Sequence, residues 1–186
     1  MALAYVARFA TSAGKLDDYL KRKLRERGWA VADCGPDDEG DPDQARAEGA
    51  AHIAALIARF VEIGYIDDAG FARMKTGSLL RRGYGGRRIS QELGQAGIGE
   101  SIRADVTPGE SAARGAALAC ARKRGLGPFT RQRAGAKAGD HAAARALREK
   151  QMAAMLRAGH GMEAARAILN APDEAAAEAW VAEADE

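Results

Sequence analysis

The stretch RRGYGGRRIS, Arg81 to Ser90, sets four guanidiniums around a glycine-rich turn. Glycines followed by cations suggest a phosphate cradle. A P-loop, however, ends in Lys followed by Ser or Thr and grows out of a β-strand. Arg87 and Arg88 stand there instead, and helical periodicity precedes the turn, so the cradle fails. A dinucleotide fingerprint needs the same strand and fails with it. The chain has no Gly-x-Ser-x-Gly elbow for a nucleophilic serine. The acid pairs Asp17-Asp18, Asp37-Asp38 and Asp67-Asp68 are adjacent, which suits helix caps and solvated positions better than a shared site. Cys34 and Cys120 lie far apart, and His52, His141 and His160 share no ligand spacing. The expectation is a non-enzyme with no catalytic residue, no metal, no cofactor and reduced cysteines.

Basic surfaces are what remains. In KRKLRERG, Lys21, Arg25 and Gly28 fall along one helical line while Leu20 and Leu24 face inward. Arg81 and Arg82 close a helix, where the negative end of its dipole favours them. Arg87 and Arg88 open the next one, where the dipole disfavours them and an external anion would offset the cost. Arg122, Lys123 and Arg124 belong to a run from Arg114 to Lys137 with seven basic residues and no acid. Aromatic stacking residues are sparse, with Tyr84 inside the arginine turn. The second helices of the helix–turn–helix pairs carry no cluster of Asn, Gln and Arg on one face for reading bases. Such surfaces suit phosphates or an acidic protein rather than a base sequence.

The formal charge of +2 conceals segregation. Residues 33–50 carry seven acids and one Arg, and residues 170–186 carry six acids and no base. The other 151 residues hold 27 basic against 13 acidic side chains, a net of +14. A body of that charge is drawn to polyanions and acidic surfaces. No apolar run approaches the ~20 residues of a membrane helix. The opening MALAYVARFATSAGKL is broken by Arg8 and followed by Asp17 and Asp18, so it reads as a core helix, not a targeting peptide.

The elements that must position these cations are all helices. Apolar residues recur at i, i+3 and i+4, with no sustained alternation. Leu3, Val6 and Ala10 mark a first helix, and Leu16, Leu20 and Leu24 a second with Ser12 as its N-cap. Ile53, Leu56, Ile57, Phe60 and Val61 mark a third, and Phe71, Met74 and Ser78 a fourth that Asp67 caps. Ile89 and Leu93 define a fifth; Ile102 and Val106 belong to a sixth. Gly28, Gly64, Gly83, Gly97 and Gly159 follow last apolar positions and read as structural caps. Helix resumes near His141 and runs to Leu156, and the segment after Pro172 is an acidic helix or a frayed tail. With aromatics at 5% and alanine abundant, the core is built from many small contacts.

The endings repeat: Leu24-x3-Gly28-Trp29, Leu93-x3-Gly97-Ile98 and Met155-x3-Gly159-His160. This predicts three non-identical tandem three-helix repeats that stack to share a core. Repeat one spans 1–66 with an acidic flexible insertion at 33–50. Repeat two spans 67–108. Repeat three spans 109–171 with a basic, Gly-rich linker at 125–140, and 172–186 is an acidic tail.

IGYIDD, then FAR, then LLRRGYGGRRISQELGQAGI resemble the second repeat of the RecX family, bacterial regulators of the RecA recombinase. LAYVARFATSAGKLDDYLKRKLRERG and REKQMAAMLRAGHGMEAARAIL resemble its first and third repeats. The resemblance implies an all-α, elongated and curved array of three tandem three-helix repeats, in a cytoplasmic, monomeric, non-enzymatic protein of DNA repair and the SOS response. Such a protein binds the groove of the RecA–DNA filament and restrains ATP hydrolysis, filament growth and strand exchange. The implied contact residues are Arg81, Arg82, Arg87 and Arg88 on a turn shaped by Tyr84 and Gly85. Lys21, Arg25, Arg122, Lys123 and Arg124 are further candidates, with single- or double-stranded DNA as a second partner through phosphates. The alternative is a basic helical DNA-binding protein acting independently of RecA. The insertion at 33–50 has no counterpart in the family pattern, and His160 stands where an aromatic follows the cap glycine.

Overall fold

The computed structural model describes residues 1–27, 41–130 and 141–185. Among them every regular element is helical, so the chain is all-α. The order is α1 (Ala2–Val6), α2 (Ala13–Arg27), α3 (Pro42–Glu62), α4 (Asp68–Arg81) and α5 (Gly86–Gln95). It continues with α6 (Glu100–Asp105), α7 (Glu110–Arg124), α8 (His141–Arg157), α9 (Met162–Asn170) and α10 (Glu174–Ala182). Short 3₁₀ turns occupy Gly127–Phe129 and Glu183–Asp185. No described helix is long and apolar enough to cross a membrane.

Three boundaries differ from the sequence reading, the first being α1, which stops at Val6 and leaves Ala10 outside it. Residues 42–50, read as inserted loop, form the first turns of α3. Asp41 caps that helix, accepting from the Asp43 N–H at 2.9 Å, and Pro42 fills the first helical position, where a missing N–H costs nothing. Residues 125–130, assigned to a linker, close α7 with Gly125 and turn once through Gly127–Phe129. Gly28, Cys34, the rest of the acidic insertion and residues 131–140 lie outside the described residues.

Contacts gather the chain into two compact units: Met1–Ala72 with Gln95–Ile102, and Arg73–Gly94 with Arg103–Glu186. In the first, Leu16 and Leu20 of α2 pack with Ile53 and Phe60 of α3 and with Ile66. Tyr5 stacks on Tyr19 at 4.2 Å beside them. Leu3 and Val61 lie about half-exposed, not inward as their spacing suggests. Ser12 is fully buried at the start of α2. Its hydroxyl accepts from the Lys15 N–H and donates to the Ala96 carbonyl at 2.5 Å, while Asp68 accepts from the Ala13 N–H at 2.9 Å. Gly14 lies so close to Gly97 that a Cβ on it would stand 2.6 Å from the Gly97 Cα.

The core of the second unit is made largely of small residues. Ala117, Cys120 and Ala121 of α7 meet Met155 of α8 and Ala158 just beyond it, Ala165, Ile168 and Leu169 of α9, and Ala177 of α10. Phe129 and Trp180 lie half-buried at its margin. Small residues let helix axes approach closely, so stability rests on many modest contacts. In this unit Met74, expected inward, is half-exposed.

Candidate functional site

The cations of RRGYGGRRIS are held by a turn fixed through its backbone. Gly83 ends α4 with φ +82°, the left-handed region that a Cβ disfavours. Its N–H donates to Leu80 O at 2.8 Å and that of Tyr84 to Leu79 O at 3.0 Å, a Schellman closure. Gly64, Gly97 and Gly159 also have positive φ. Gly83 has a second constraint, since a Cβ there would lie 2.8 Å from the backbone nitrogen of Cys120 in α7.

The far side of the turn is seated on the end of α8. The Gly85 N–H donates to Ala158 O at 2.9 Å, and the Arg87 N–H to Gly159 O at 3.2 Å. A Cβ on Gly85 would fall 2.4 Å from the Gly159 carbonyl carbon. His160, only 3% exposed, places Nε2 3.1 Å from the Gly83 carbonyl. That carbonyl can only accept, so Nε2 carries the proton. Burial pulls the imidazole pKa below its ordinary value. The Gly83 carbonyl pulls the other way, and nearby Arg124 adds to the lowering. The ring is therefore a neutral donor bolting the turn to α8.

This arrangement corrects the expectation for the start of α5. Carbonyls from the C-terminal end of α8 already face its first turn and offset the dipole at Arg87 and Arg88. The N–H groups of Gly83, Tyr84, Gly85, Arg87 and Arg88 all have backbone acceptors. The turn thus offers mainly side chains to a partner.

Those side chains divide into two sets. Arg88 is engaged, with Nη2 2.7 Å from Glu92 and Nη1 donating to Gln91 at 3.2 Å; Lys75 shares Glu92 at 3.8 Å. Arg81, Arg82 and Arg87 are exposed and make no ion pair among the described residues. The Arg82 guanidinium lies 5.2 Å from the centre of the half-buried Tyr84 ring, which props it outward. Five cations meet one acid here, a local net of +4.

The other sequence candidates separate from this cluster. Lys21 is paired with Asp17 at 2.7 Å; Arg25 is exposed in the same helix, and both belong to the first unit. Arg122, Lys123 and Arg124 end α7 in the second unit. Arg122 is bound to Glu178 of α10 and lies over the Phe129 ring, so it is not free as its sequence context suggests. Arg124 reaches the Ala154 carbonyl at 3.4 Å, and Lys123 is exposed. Sequence reasoning missed His160 and Glu92. The position of His160 directly after a cap glycine is the one signal pointing to the first. Among the described residues no group of His, Cys, Asp and Glu is placed to hold a metal ion.

Residues 67–106, which contain the turn, match a model of the second three-helix domain of RecX. A regulatory protein RecX from Myxococcus xanthus is 30% identical over 173 residues, covering 91% of this chain and 82% of its own length. The regulatory protein RecX of Pectobacterium atrosepticum is 36% identical over 92 residues, 49% of this chain and 57% of that one. Its namesake from Cronobacter sakazakii is 41% identical over 81 residues, 44% and 46% of the two chains. The chain thus spans about half the length of these last two relatives. No solved structure matches it.

Proposed function

The chain belongs to the RecX family, and from that premise we propose that it binds the RecA–DNA filament through the arginine turn between α4 and α5 and restrains RecA. The relatives are named as regulatory proteins, not enzymes. One observation carries the reading: Arg81, Arg82 and Arg87 stand exposed and acid-free on a turn whose backbone is immobilised by α7 and α8. A rigid mount lowers the entropy lost when cations engage a partner. Carboxylates or phosphates of a filament suit these guanidiniums, which can bind either in bidentate fashion.

The test is a titration of RecA ATPase on single-stranded DNA. Arg81→Glu, Arg82→Glu and Arg87→Glu together should raise the concentration for half-inhibition about 10- to 100-fold, as follows from roughly 0.5–1 kcal/mol for each exposed contact. Helical content should be unchanged, because the three are exposed and the one ring contact among them, Arg82 over Tyr84, is a surface contact. Undiminished inhibition by the folded variant removes the turn from the interface. No inhibition by the unaltered protein sinks the RecA reading itself.

A further inference from the structure

The acidic C-terminal segment lies across the basic face of α7. Arg114 and Arg122 are two turns apart on that helix and both face α10. Arg114 donates to the Trp180 carbonyl at 2.7 Å, lies 4.7 Å from the Trp180 ring centre, pairs with Glu110 and reaches Glu183 at 3.8 Å. Arg122 pairs with Glu178 and covers the Phe129 ring at 5.5 Å. Glu178 of α10 therefore occupies the Arg122 guanidinium. The Trp180 carbonyl and Glu183 cover Arg114 beside its own-helix partner Glu110, in the most one-sided basic stretch of the chain.

The hold of α10 is modest. It is nine residues long and follows Pro172, below the length at which a helix persists alone in water. Ala177 is its fully buried residue, with Trp180 and Val181 half-buried. Arg122 and Glu178 are each about half-exposed, so their pair is screened by salt and contributes little. A ligand offering several anions in a row would compete on favourable terms.

We propose that the α7 face carrying Arg114 and Arg122 is a binding surface for the backbone of single-stranded nucleic acid, and that α10 occupies it as a tethered competitor. Guanidiniums beside an aromatic ring are the combination that single strands use, phosphate on the cation and base on the ring. With Glu178 displaced, Arg122 and Phe129 become such a pair, flanked by the exposed Lys123. This surface is distinct from the arginine turn, and the proposal stands whether or not the turn contacts RecA.

The experiment measures binding of a fluorescent oligo-dT strand to the full chain without RecA, at 50 mM and 300 mM salt. Glu178→Gln with Glu183→Gln should tighten binding at least fivefold at low salt, with most of the gain gone at high salt. Asp43→Asn with Glu48→Gln, on α3, changes net charge equally and should give less than a twofold gain. Adding Arg122→Ala to the α10 variant should abolish its advantage. Equal gains from the α3 and α10 variants would overturn the proposal by reducing the effect to net charge. So would a gain that survives Arg122→Ala, or an α10 variant that gains affinity only for polyglutamate. Circular dichroism must show the variants folded. If the Glu→Gln pair unfolds α10, raising salt on the unaltered chain while following Trp180 emission in a Trp29→Phe background supplies the second reading. Oligo-dT must then shift Trp180 towards its solvent-exposed emission, and a Trp180 signal unmoved by saturating oligo-dT overturns the proposal.

Discussion

Two neighbouring glycines in the arginine turn face opposite constraints. Gly85 sits against the end of α8, and a methyl group there would intrude to 2.4 Å from backbone atoms that cannot give way. Gly86 opens α5, and a methyl group there finds nothing closer than the Pro108 ring at 3.9 Å. Gly85→Ala should therefore cost about 1–3 kcal/mol through overpacking. Gly86→Ala should be neutral or stabilise by about 0.5 kcal/mol, because alanine has less unfolded-state freedom to lose. Urea unfolding of the two single variants checks this pair, and equal effects would contradict the seating of the turn on α8. The same distinction applies to the arginines. Arg88 is bound into Glu92 and Gln91, so reversing its charge disturbs the helix, whereas Arg81, Arg82 and Arg87 are available to a partner.

At the scale of elements, the clamp between α8 and the turn carries a pH signature. His160 is neutral when folded, and burial keeps its pKa below the ordinary value of about 6.5. Above that value both folded and unfolded chains hold a neutral ring, and the group adds no pH dependence. As pH falls below about 6.5 the unfolded chain takes up a proton that the buried ring, with Arg124 nearby, resists. Stability is then lost progressively until the depressed folded value is passed. Urea unfolding at pH 7.5 and 5.5 should show a larger acid loss for the unaltered protein than for His160→Gln, which keeps a donor without titrating in this range. Identical acid losses would mean that the ring is not buried as described. His160→Ala should cost about 1–3 kcal/mol at either pH, since it leaves the Gly83 carbonyl without its donor. The helix ends were legible in sequence where a single local cause fixes them, as at Ser12 and Asp67. The start of α3 carried an equally local signal in Asp41-Pro42, but dense like charge around it pointed to loop. The clamp was illegible because it joins Gly83 to His160, 77 positions on, through a carbonyl that any residue would supply. The docking of α10 was hidden for a related reason. An alanine-rich acidic segment advertises charge, while its attachment depends on the small buried Ala177 and on Arg114 meeting a backbone oxygen.

For the whole molecule the governing quantity is how its cations are partnered, not how many there are. The body holds 27 basic side chains, yet Lys21, Lys23, Arg114 and Arg122 are all matched by acids within the fold. With α10 in place, the arginine turn is the densest unmatched group described. Three free guanidiniums on single-stranded DNA would release about two condensed counterions, a log–log salt slope of roughly −2. A slope well beyond that on bare DNA would mean that α7 or another surface joins the contact. A filament partner adds directional protein contacts that salt screens less at close range, about 8 Å being the Debye length at 0.15 M. The expectation is therefore tighter binding to RecA–DNA filaments than to bare single strands at 0.15 M salt, with the ratio growing as salt rises. Arg81→Glu, Arg82→Glu and Arg87→Glu together should collapse that ratio towards one. A steep salt slope with no preference for the filament at any ionic strength would instead make the protein a DNA-binding helix array that acts without RecA.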